Sequence, residues 1–317
     1  MAGVVSFLGF LFFTFGVVVP VAFFIFYTAY SVFPILAAVE DLDAPIYQSL
    51  NLPRVVDEAE APSHLHVDKD APKTLPVSSS LRSMTRLLYS RRRCLSFCRG
   101  YSWFFFFGII KSLALGVCVW SPFLGFLAQI LLPLAATHFH TLWVHSVLSS
   151  RTYVFRGRAV GARELFSTVG LPMAVYLTSE AVVQRILLQY YKGVGMRWED
   201  FIFAFGHFHK SFMFLMLLAV LTFVFVVPSY VILVRAEASL LPSDEQTLVP
   251  LDPALEGLAE DGVMTLVGAW RSLTRARVVN MVFLYMRMFI ITIPVVFVLS
   301  GIDFTWYIVI AMDSWRF

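Results

Sequence analysis

Four ionisable residues stand inside long apolar runs of this chain: Lys111, Glu180, Arg185 and Arg287. A charge at the centre of a bilayer costs at least ~2.5–3.5 kcal/mol on insertion scales, so such groups normally face the interior of a helix bundle and pair. Two kinds of chemistry fit them, a structural ion pair or a polar pathway for an ion or polar solute. Arg185 lies near the end of its run and can snorkel to the interface instead. Glu180 has Lys111 and Arg287 as candidate partners. A guanidinium matches a carboxylate fork better than an ammonium does, which favours Arg287. Lys111, Glu180 and Arg287 are therefore the expected intramembrane polar network.

A second set is His138, His140 and His145. His138 and His145 are seven residues apart and share a helical face. Imidazoles in this pattern read either as metal or haem ligands or as packing and interface histidines. A catalytic metal takes about three protein ligands. His207 and His209 lie roughly 20 Å away in depth at ~1.5 Å per residue, too far to share an ion. The expectation is no metal and no other cofactor, with these three histidines as the positions where a metal site would be sought. His64 and His66 fall in a polar stretch and are expected to be solvated.

Other chemistries find no footing. There is no Gly-rich phosphate loop and no Gly-x-Ser-x-Gly elbow. Cys94, Cys98 and Cys118 form no disulfide framework. Cys94 and Cys98 sit in a basic juxtamembrane setting, as palmitoylated or plain thiols. The acidic residues of the polar loops read as solvated.

The elements that must position these residues follow from hydropathy. Of 317 residues, 59% are hydrophobic and only 14% are charged, against about 25% charged in soluble domains. The stretch from Ser102 to Ser150 is long enough for two crossings at roughly 20 residues each. Ser121-Pro122 breaks it into a hairpin, Trp103–Trp120 and Pro122–Leu148. Val4–Val39 reads as a first span, interrupted at Pro20 and ended near Pro34, or alternatively as a re-entrant hairpin. Leu165–Leu188, Phe208–Val234 and Val279–Leu299 are the remaining spans, with a kink at Pro228. Phe304–Met312 is too short to cross and packs on the bundle or lies at the surface.

Between the spans, Glu40–Ser80 reads as a flexible polar loop. Leu81, Met84, Leu87 and Leu88 recur with a helical period among arginines, which fits an amphipathic helix on the membrane surface. Gln189–His207 suits an interface, and Arg235–Arg277 is a second polar loop. The organisation is thus a first transmembrane helix (1–39), a polar then basic loop (40–101), and a bundle (102–317) containing the polar loop 235–278.

With the N-terminus outside or lumenal, the joints Glu40–Tyr101, Ser149–Glu164 and Arg235–Val278 face the cytoplasm. They hold most of the 24 Lys and Arg, as the positive-inside rule expects. The basic residues lie beside apolar spans, so the partner they imply is the lipid bilayer and not nucleic acid.

One resemblance rests on specific residues. These are Arg235-Ala-Glu-Ala-Ser-Leu-Leu-Pro242 with Asp244, Thr247-Leu-Val-Pro250-Leu-Asp252, Gly268-Ala-Trp270-Arg271-Ser272, and Trp143-Val-His145. In these the C-terminal two-thirds of the chain resembles a group of fungal multi-pass membrane proteins of unassigned activity. The resemblance implies a membrane fold and no catalytic residues. The expected protein is an all-α polytopic bundle of about six transmembrane helices. Its expected role is non-enzymatic, as a scaffold or transporter-like protein. The alternative is a membrane-bound metal or haem enzyme using His138, His140 and His145.

Overall fold

The computed structural model describes residues 9, 12–41, 76–92, 98–150, 161–193, 208–242, 246–257 and 266–314. Most of the polar loop after Glu40, the basic joint 151–160 and the interfacial stretch 194–207 lie outside the described residues, and His64, His66 and His207 with them. The protein is an all-α bundle. Among the described residues the extended pairing is limited to two isolated antiparallel bridges, Glu40 with Leu251 and Ser149 with Thr247.

Helix α1 spans Thr14–Val39 and α2 spans Leu81–Arg92. The central hairpin is α3 (Tyr101–Trp120), α4 (Pro122–Ala135) and α5 (Thr137–Leu148). Helix α6 is Ala162–Gly193. Helix α7 starts at Phe208 and runs to Ala238, and its portion Phe212–Ala238 is the apolar span. Helices α8 and α9 are Leu266–Arg271 and Arg275–Ser314.

Among the described residues, four apolar helical segments are long enough to cross a membrane: Thr14–Val39, Ala162–Gly193, Phe212–Ala238 and Arg275–Val295. A fifth is the pair α4–α5 if counted as one span, bent by 55° at its break. In α3 the apolar stretch Tyr101–Val117 is shorter. Outer faces carry large apolar side chains, among them Phe105, Phe123, Leu171, Phe212, Val224 and Ile290. Water would not tolerate so continuous an apolar surface, and lipid does. The protein is membrane-embedded.

The break between α3 and α4 is local chemistry. Ser121 is extended and its Oγ accepts from the Leu124 N–H at 3.4 Å, while Pro122 occupies the first turn, where a missing N–H is harmless. Prolines elsewhere do not break helices as expected. Helix α1 passes through Pro20 and Pro34 without interruption, so neither a break nor a re-entrant turn forms in the described part. Wide π-helical turns at Thr14–Val18, Phe24–Val32 and Thr222–Val226 end two residues before Pro20, Pro34 and Pro228. A proline ring collides with the carbonyl one turn earlier and cannot donate to it. Widening that turn accommodates both defects. The kink expected at Pro228 is such a turn.

Three further corrections bear on the site. Helix α9 is continuous to Ser314, so Phe304–Met312 prolongs it and forms no separate segment. The second polar loop begins later than hydropathy indicates, because α7 continues through Arg235 to Ala238, all of it buried over that stretch. In α2, Met84 and Leu88 join the protein core, so protein and not lipid covers its apolar face, while Arg82 and Arg86 stay exposed.

Helix α7 is the hub and packs on α1, α5, α6 and α8. Helices α1, α5 and α7 end, and α3, α6 and α9 begin, at the same end of the bundle. The segment 246–252 is laced across that end. Gly100 precedes α3 in a left-handed conformation (φ 69°). A Cβ there would lie 2.9 Å from Trp143 Cδ1 and 3.1 Å from the Trp143 carbonyl oxygen, so glycine lets α3 start directly against α5.

Candidate functional site

In the middle of the bundle, Lys111 of α3 meets Glu180 of α6. Lys111 Nζ donates to both carboxylate oxygens, at 2.8 and 2.7 Å. It also stands 5.7 Å from the centroid of the Tyr176 ring, a cation–π arrangement. The side chains are 31% and 23% exposed, so the pair is neither sealed nor free. The expected preference for Arg287 is corrected here. Arg287 is exposed on α9, and the carboxylate goes to the ammonium. Arg185, one turn beyond Glu180, is half-buried.

Two cavities meet at this ion pair. The larger, about 430 Å³, is walled by aromatic residues from six helices: Tyr30, Phe107, Trp143, Tyr176, Tyr230 and Tyr285. The smaller, about 130 Å³, is more polar and includes Ser112, Gln129 and Gln184. Lys111 and Glu180 line both. The order along the chain is consistent on every shared element. On α3, Gly108 lines the larger cavity and Leu115 the smaller. On α6, Tyr176 lines the larger and Gln184 the smaller. On the bent pair, His140 lines the larger and Gln129 the smaller. The cavities are therefore stacked along the bundle, with the larger towards the end where α5 and α7 finish and the ion pair between them.

His140 of α5 stands on the wall of the larger cavity, 1% exposed. Its ring meets Phe107 and Trp143 edge-on, each at 5.0 Å between centroids. Behind it, Nδ1 lies 2.7 Å from Oε1 of Glu237, and the Thr141 hydroxyl donates to the same oxygen at 3.0 Å. His145 Nε2 donates to the Glu237 backbone carbonyl at 2.8 Å. Glu237 is fully buried, and its Oε2 finds no hydrogen-bond partner among the described residues. Tyr230 Oη, also at the cavity, is in the same position.

This settles where the histidines go. His140 and His145 are spent on Glu237, whereas His138, in the first turn of α5, is exposed. His138 and His145 share a face but not a partner: Glu237 meets His140 and His145, and His138 stays exposed. Among the described residues no three His, Cys, Asp or Glu side chains gather as an ion-binding group.

A third cluster ties helices together at one end of the bundle. Arg235, completely buried, donates to Ser272 Oγ (2.8 Å), the Ala38 carbonyl (3.1 Å) and Asp252 Oδ2 (2.7 Å). Arg277 reaches the same Asp252 oxygen at 2.7 Å and donates to the Ser272 carbonyl at 3.0 Å. Asp252 Oδ1 accepts from the Ala254 N–H at 3.0 Å, capping the turn that Pro253 opens. Burial pushes the Asp252 carboxyl up, but the hydrogen bonds from Arg235 and Ala254 and the charges of both arginines outweigh it and hold the group below the usual carboxylate range. Glu40, at the end of α1, accepts the Val77 and Ser78 N–H groups at 2.6 and 2.9 Å. Arg99 donates to the carbonyls of Ser149 and Ser150, capping α5.

Sequence reasoning placed Glu237 and Asp252 among solvated loop acids, and both are buried. The signal was present in Arg235-Ala-Glu-Ala, which holds no helix breaker before Pro242, and in Asp252-Pro253, a cap followed by a first-turn proline. No known protein family, no curated protein and no solved structure matches the chain.

Proposed function

We propose that this chain is a non-enzymatic, transporter-like integral membrane protein that admits a small polar solute to the interior of its bundle. One observation carries the reading: two cavities stand in series through the bundle with an ion pair at their junction. A purely structural pair needs no access to a cavity, whereas Lys111 and Glu180 are 31% and 23% exposed and line both. A solute pathway needs a charged, partly accessible point between two vestibules. A cavity of about 430 Å³ is the size of a small-molecule site. Its apolar walls with few convergent polar groups are of the same kind. In this reading the cluster around Arg235 and Asp252 is a structural base that locks α1, α7, α8 and α9 together.

The bilayer is the surrounding partner, and the N-terminus lies on the outer or lumenal side. The basic joints then flank the end tied together by Arg235 and Asp252.

The test is water access to the larger cavity. In a cysteine-free variant, Ser31→Cys should react with a charged methanethiosulfonate reagent in native membranes. Val220→Cys, on an outer apolar face, should not. Equal resistance at both positions would refute a solute cavity.

A further inference from the structure

The ion pair and the cavity together define a ligand class. We infer that the larger cavity binds a small zwitterion with an apolar body, its anionic end on Lys111 and its ammonium on Glu180. This inference rests on the proposed solute cavity and deepens it. Lys111 and Glu180 satisfy one another. A cationic solute that takes Glu180 strands the lysine, and an anionic solute that takes Lys111 strands the carboxylate. Stranding one member of a buried pair is strongly unfavourable. A zwitterion inserted between them repairs both ends at once. The lysine has somewhere to move, because it already lines the smaller cavity beside Ser112, Gln129 and Gln184.

The rest of the wall selects the body of the solute. Tyr30, Tyr176, Tyr230, Tyr285 and Trp143 present ring faces and edges around the cavity, and an ammonium already stands over Tyr176. Aromatic walls hold an apolar or aromatic group and add cation–π attraction to its ammonium. Two sources carry this chemistry: a free solute such as an aromatic α-amino acid, and the head of a zwitterionic lipid with a primary ammonium.

The experiment is equilibrium binding of radiolabelled L-phenylalanine to the full chain in phosphatidylcholine nanodiscs. Competitors are phenethylammonium, 3-phenylpropionate and unlabelled phenylalanine. Saturable binding is expected, with each singly charged competitor at least about tenfold weaker than phenylalanine, the scale of one lost hydrogen bond to a charged group. Lys111→Met and Glu180→Gln should each abolish binding. The competition order in the unaltered protein decides the matter even if a variant fails to fold. Including phosphatidylethanolamine in the discs separates the sources: competition with phenylalanine assigns the site to the lipid head, and its absence assigns it to the free solute. An undetectable phenylalanine signal in phosphatidylcholine discs, or a singly charged analogue binding as well as the zwitterion, overturns the inference. If Ser31→Cys remains reactive in that case, the solute cavity stands and only the ligand class falls. If Ser31→Cys is unreactive, the cavity itself falls.

Discussion

Replacing Lys111 by methionine keeps the length and apolar stem of the side chain and removes its charge. Glu180 then loses both hydrogen bonds, at 2.8 and 2.7 Å, inside an apolar bundle. Breaking a fully buried pair from one side costs about 3–5 kcal/mol. Here the side chains are 31% and 23% exposed, which lowers the expected loss to about 2–3 kcal/mol. Glu180→Gln strands the ammonium instead and should lose a similar amount. The double variant leaves no unpaired charge and should lose only about 1 kcal/mol. The coupling is then roughly 3–5 kcal/mol, well above the ~0.5 kcal/mol within which independent sites add. Reversible unfolding in detergent measures it, and each single variant should melt about 5–10 °C lower, at roughly 2–4 °C per kcal/mol. Arg287→Met provides the control and should add to Glu180→Gln without coupling. Additive losses for Lys111 and Glu180, or coupling of Glu180 to Arg287, would refute the pairing and the junction built on it.

Arg235→Met should destabilise by about 3–5 kcal/mol, because it strands the Ala38 carbonyl and half-frees Asp252 in a buried setting; Arg82→Met on the exposed face of α2 should change stability by less than about 0.5 kcal/mol in the same unfolding assay. The Asp252 carboxyl is held below its ordinary range in the folded chain, so its contribution is fully present above that range and fades as pH falls through the ordinary value of about 3.9 and on through the folded one. Melting curves from pH 6 to pH 3 should show a shallower acid limb for Asp252→Asn than for the unaltered protein. Gly100→Ala meets both a left-handed backbone and Trp143 at 2.9 Å, and should lower the melting temperature where Gly108→Ala, with open space around its added Cβ, changes it little. Metal analysis of purified protein should find no stoichiometric iron, zinc or copper; such metal, lost when His138, His140 and His145 are replaced, would contradict the role given to His140 and His145.

Much of the architecture was legible because lipid imposes a simple rule. A chain that crosses a bilayer must satisfy its backbone within each helix and show apolar side chains outside. The apolar runs therefore reported α1, α3 to α7 and α9, and Ser121-Pro122 reported the turn within the hairpin. Proline was read too literally, since a π-helical turn accommodates Pro20, Pro34 and Pro228 without ending a helix. The site was half legible. Lys111 and Glu180 stood out as charges in apolar runs, but the choice of partner was not local. Fork geometry favoured Arg287, whereas the fold sets Lys111 Nζ 2.7 Å from the Glu180 carboxylate. Arg235, Glu237 and Asp252 were missed because a charge near the end of a span reads as solvated. Arg235 and Asp252 meet because the segment 246–252 folds back across α1 and α5, through Glu40 with Leu251 and Ser149 with Thr247, and Glu237 is buried against α5. Contacts between residues 197 or 237 positions apart, as in Arg235 with Ala38 and Arg277 with Glu40, leave no periodic trace in one sequence.

The serial arrangement of the cavities is tested most directly by asking from which side each is reached. In sealed vesicles of known orientation, a cysteine-free variant would carry Ser31→Cys in the larger cavity, Ser112→Cys in the smaller one, or Ser80→Cys as a marker of the face bearing the basic joints. With an impermeant charged thiol reagent, Ser31→Cys should react from the face that labels Ser80→Cys, and Ser112→Cys from the opposite face. Reaction of both cavity positions from one face, or of neither from any face, would contradict a solute pathway divided by Lys111 and Glu180.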